Sequence, residues 1–160
     1  MTTKAEFNAE EWQKVLEGAA LAGLIVITAQ RGGTLRESMS MAKAYAEARK
    51  EHQGELIGEV VASPPQMNPR RFSSAEDLRT RGLAELREAV ELLDSKATPE
   101  EVDEYKRFTM TVAQRAAEAD KSGGFLGIGG ERVSDSEREA LAAIAETLGV
   151  EPPAEGATSG

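Results

Sequence analysis

The sequence predicts an all-α fold, a single-domain bundle of six or seven helices. Three observations carry that expectation. The chain is 40% hydrophobic but only 4% aromatic, so its core must come from Leu, Ile, Val, Met and Ala. Such a core suits closely packed helices better than a sheet. Helix-start signals recur along the chain. Period-two alternation is almost absent, and the β-branched cluster Leu24-Ile25-Val26-Ile27 sits inside a longer apolar run. A length of 160 residues favours one domain with a sizeable core.

The elements follow in order. Asn8, with an acid three positions on at Glu11, opens a helix over about 9–30 that Gly32-Gly33 ends. Its Gly18, Ala19, Ala22 and Gly23 allow a neighbour's backbone to come close. Thr34-Leu35-Arg36-Glu37 is a second capping box. It starts a helix to about Glu51 with Met39, Ala42, Tyr45 and Ala46 expected on its inner face. Leu56-Ile57 and Val60-Val61 follow at helical spacing. Three prolines within 63–71 break the chain. Ser73-Ser74-Ala75-Glu76 restarts a helix striped by Leu83, Leu86, Val90 and Leu93. Thr98-Pro99-Glu100-Glu101 is the clearest start signal: N-cap, proline at the first helical position, acid at the third. That helix buries Val102, Tyr105, Phe108, Val112 and Ala116 and reaches about Asp120. Ser134-Asp135-Ser136-Glu137 opens the last helix, with Leu141, Ile144, Ala145 and Leu148 inward, and Gly149 stops it. Domain bounds of 9–149 result, with 1–8 and the Pro/Gly-rich 150–160 as terminal tails.

Composition excludes several chemistries. The formal net charge of −9 disfavours nucleic acid and anionic membranes as partners. With no cysteine there are no disulfides, thiolate metal sites or cysteine nucleophiles. The single histidine, His52, lies in the charged run Arg49-Lys50-Glu51-His52-Gln53, where a solvated role suffices. The apolar run within 19–29 spans about half of the ~30 Å of a bilayer core, so a buried helix is expected and not a transmembrane one. The N-terminus carries no apolar signal core, and a cytoplasmic location is expected.

One segment stands out, the Gly-rich stretch from Asp120 to Glu137. It is not a phosphate loop. A dinucleotide fingerprint counted from Gly127 needs glycine where Arg132 stands, and a P-loop counted from Gly124 needs lysine where Gly130 stands. Its carboxylates Asp120, Glu131, Asp135 and Glu137 flank a connection between two helices. Converged, they offer hard oxygen ligands for a divalent cation, Ca²⁺, Mg²⁺ or Mn²⁺. Asp135 and Glu137 also sit where acids stabilise a helix N-terminus, so capping explains them without metal. Phe125, Leu126 and Ile128 sit among the glycines. Large apolar side chains on so free a backbone either plug the core or dock a protein partner.

The same residues carry a resemblance. Ala117-Glu118-Ala119-Asp120, then Gly123-Gly124-Phe125-Leu126-Gly127-Ile128-Gly129-Gly130, then Val133-Ser134-Asp135-Ser136-Glu137 resembles the TerB-like tellurite-resistance proteins. The resemblance implies an internally duplicated bundle of about seven helices with acidic metal-binding positions in each half. The first half echoes it in Leu21-Ala22-Gly23-Leu24, Thr28 to Gly33 and Thr34-Leu35-Arg36-Glu37. It departs at Gln30 and Arg31, which stand where an acid is expected. The expected function is that of a non-enzymatic, cytoplasmic stress-response protein acting as a binding or scaffold module, with a divalent cation as its one candidate cofactor. Two alternatives stand beside it. One is a small-ligand protein or enzyme with a pocket lined by Met39, Met41, Tyr45, Tyr105 and Phe108. The other is a structural, oligomerising bundle. The sequence leaves the oligomeric state open.

Overall fold

A computed structural model describes residues 3–29, 35–51, 54–65, 68–122 and 135–151. Among them are six α-helices and no strand: α1 (Ala9–Ala29), α2 (Leu35–Lys50), α3 (Glu55–Val61), α4 (Ala75–Lys96), α5 (Pro99–Ser122) and α6 (Asp135–Leu148). Single 3-10 turns at Lys4–Glu6 and Pro69–Arg71 complete the described chain.

The caps act as their spacing predicts. The Asn8 N–H donates to the Glu11 carboxylate at 2.9 Å, and the Glu11 N–H donates back to Asn8 Oδ1 at 2.8 Å. Thr98 and Glu101 exchange the same pair at 3.0 and 3.2 Å. The Asp77 N–H donates to Ser74 Oγ at 3.0 Å. Each bond satisfies a backbone donor that the first helical turn leaves without a partner. At the other end of the chain, Gly149 takes φ 75°. There the Val150 N–H reaches the Ala145 carbonyl and the Gly149 N–H reaches that of Glu146. This is the Schellman closure, which needs a residue free of Cβ strain at Gly149.

Helix α1 is the centre of the bundle. It packs along both α4 and α5, with α6 against all three, while α2 lies mainly on α5 and α3 bridges α2 to α5. From Gly18 to Ile27 every residue of α1 is buried. A helix apolar on all sides must be enclosed by others. By length and mean hydropathy α1 matches a membrane span, the one such helix among the described residues; 67% of its most apolar window is buried inside the bundle.

Two glycines let neighbours approach α1. A Cβ at Gly18 would lie 2.3 Å from the Tyr105 hydroxyl, and one at Gly23 would lie 2.6 Å from the Met41 sulfur. The Met41 contact corrects the inner face expected of α2. Met41, Ala44, Tyr45 and Ala48 are buried, whereas Met39 is 56% exposed and Ala42 is exposed. Both sets have helical spacing, and the notch at Gly23 accommodates Met41.

The core extends past both sequence-drawn ends. Phe7 is buried with its ring 5.5 Å from that of Trp12, and Val150 packs on the core's edge. The proline break is pinned rather than loose at its end. Arg71 pairs with Glu17 of α1 and with both carboxylate oxygens of Glu85 in α4 at 2.7 and 2.6 Å. The guanidinium groups of Arg71 and Arg81 each lie 5.0 Å from the Phe72 ring centre.

Candidate functional site at the start of α6

The residues singled out from sequence lie around the connection from α5 to α6. Asp120 is on the last turn of α5, though its side chain is outside the described residues. Glu131, Phe125, Leu126 and Ile128 lie outside them altogether, as does His52. Asp135 and Glu137 are described, in the first turn of α6.

Those two carboxylates do not come together. The Asp135 side chain is 92% exposed and accepts from Arg138 at 2.6 Å, while Glu137 is 2% exposed. Positions two apart on a helix are separated by about 200°, so one acid faces water and the other faces the bundle. Both remain within the first turn, where the helix dipole favours negative charge. Among the described residues no three His, Cys, Asp or Glu side chains cluster at metal-binding range.

Beside the start of α6 is a cleft of about 280 Å³. Thr28 from the end of α1, Glu76 and Arg79 from the first turns of α4, and Ser136 and Glu139 from α6 supply its polar groups. Sequence reading did not find Glu76 or Arg79. Nothing local in the Ser73–Glu76 start signal says that α4 and α6 begin side by side; that follows from their shared packing on α1.

Of the five residues expected to line the alternative pocket, four are buried and one is exposed. Met41, Tyr45, Tyr105 and Phe108 are packed in the core, and Met39 points outward. The Tyr45 and Phe108 rings meet edge to face at 5.0 Å and 71°. The Tyr105 hydroxyl donates to the Val15 carbonyl at 2.7 Å. The Tyr45 hydroxyl has no hydrogen-bond partner among the described residues. Burial pushes both phenols above their ordinary range, and for Tyr105 the neighbouring Tyr45 adds to the rise. Both are therefore neutral near pH 7. No family model, curated protein or solved structure matches the chain.

Proposed function

We propose that this protein works by contact, as a non-enzymatic binding or scaffold module of the TerB-like kind, with the α5–α6 connection as its working part. The observation that carries the reading is the placement of that connection's far end. The first turn of α6 opens beside the cleft shared with α1 and α4 and presents Asp135 almost wholly to solvent.

In this reading Phe125, Leu126 and Ile128 meet a protein partner. Asp120, Glu131 and Asp135 hold a divalent cation, while Glu137, first offered with them, faces the bundle and stays in its capping role. An all-carboxylate donor set suits Ca²⁺, Mg²⁺ or Mn²⁺. A cytoplasmic stress-response role comes with the TerB-like resemblance. The double variant Phe125→Ser with Ile128→Ser tests the contact. A variant that melts like the parent but loses a protein that the parent captures from its own cell extract supports the reading. A variant that loses several kcal/mol of stability, as large-to-small core changes do, and keeps its capture at temperatures where it is folded refutes it.

A further inference from the structure

Helix α2 lies mainly on α5. Among its described side chains only Met41 and Tyr45 are large and buried, helped by Ala44 and Ala48. Helix α4 buries Leu78, Leu86, Val90 and Leu93, and α6 buries Leu141, Ile144 and Leu148. The outer seam between α2 and α5 is a groove of about 260 Å³ that reaches Ala44, Ala48 and Phe108. Two polar ties cross this seam, the Ser40 hydroxyl donating to the Arg115 carbonyl at 2.9 Å and Arg115 pairing with Glu47, and Arg49 ties α2 to α3 by donating to the Val61 carbonyl. One of the two large anchors also carries a penalty. The Tyr45 hydroxyl is buried without a partner among the described residues. A donor left unmade in the interior is costly, and water relieves that cost as soon as the group is exposed.

We infer that α2 is a releasable helix. It opens as a unit from α5, from α3 and from the Gly23 face of α1 while α1, α4, α5 and α6 stay packed, and hydration of the Tyr45 hydroxyl favours the open state. Opening uncovers the side of α5 that carries Phe108, which Tyr45 covers when closed, and the Gly23 face of α1 on which Met41 packs. The inference is independent of the α5–α6 connection and of any cation.

Native-state hydrogen exchange on the full chain tests it. The expected result is that α2 amides are protected at least 100-fold less than the slowest α1 amides and exchange as one group. Tyr45→Phe should raise α2 protection about tenfold. The slowest α1 amides should gain the same factor, because Tyr45 is hydrated in both the open and the unfolded states. Ser40→Ala, which removes a tie of the closed state, should lower α2 protection further. Two results would overturn the inference: α2 amides that exchange only with global unfolding, or α2 protection that Tyr45→Phe leaves unmoved.

Discussion

Gly18→Ala is the sharpest probe of how α1 is built into the bundle. At an open helical site the change stabilises by about 1 kcal/mol, because alanine loses less backbone entropy. At Gly18 the new methyl would sit 2.3 Å from the Tyr105 hydroxyl and 3.3 Å from both Ala89 Cβ and Leu86 Cδ1. The Tyr105 ring is fully buried and its hydroxyl is committed to the Val15 carbonyl, so it has nowhere to move. Losing that hydrogen bond costs roughly 0.5–1.5 kcal/mol, which cancels the propensity gain. Overpacking then leaves a net loss of about 1–3 kcal/mol. The assay is urea unfolding followed by far-UV circular dichroism, in the parent and in a Tyr105→Phe background. Without the hydroxyl, the cost of Gly18→Ala should fall by half or more, giving a clear coupling in the double-mutant cycle. Equal costs in the two backgrounds, or a stabilising Gly18→Ala in the parent, would refute the notch.

Three further outcomes follow from the same structure. Gly58→Ala on the exposed face of α3, where an added Cβ meets nothing within 4 Å, should raise stability by about 0.5–1 kcal/mol, read as a higher urea midpoint with unchanged slope. Thr98→Ala removes the Oγ1 that accepts from the Glu101 N–H and should cost about 1 kcal/mol; an unchanged midpoint would place the start of α5 elsewhere. Both tyrosines of the chain are buried with raised pKa. Native protein therefore keeps its phenol protons while the unfolded chain releases them above about pH 10, so stability is intact below that pH and falls above it. Tyrosinate absorbance should appear together with loss of helicity, and an ordinary titration near pH 10 in folded protein would contradict the burial.

The helices were legible because their signals are local. Asn8–Glu11 and Thr98–Glu101 each place a cap and its partner within one turn, and the bonds form as the spacing implies, while the Ser73–Glu76 signal is realised with Ser74 as the cap and Asp77 as its partner. The stripes of α3, α5 and α6 were equally readable from apolar spacing. The face of α2 was not. Met39 and Met41 are alike in type, and the packing of Met41 against Gly23 belongs to a helix far off in the chain. Phe7 and Val150 escaped for a related reason, since single apolar residues beyond the helices have no periodicity to mark them. At the site, the first-turn acids of α6 could be named from sequence. Their opposite orientations follow from the helix's rotation about its axis, and the contribution of Arg79 and Glu76 depends on helices distant in the chain.

The central claim is that the α5–α6 connection is a working site and not merely a link. Calorimetric titration of the full chain with Ca²⁺, Mg²⁺ and Mn²⁺, paired with thermal melts, tests it most directly. The account predicts a saturable heat with at least one ion and a matching rise in stability, about 2.7 kcal/mol at a hundredfold excess over Kd. Glu131→Gln with Asp135→Asn should abolish both and leave the ion-free helical spectrum intact. No heat with any of the three ions, or a heat that the double variant retains, would contradict the cation site and leave these acids with capping alone.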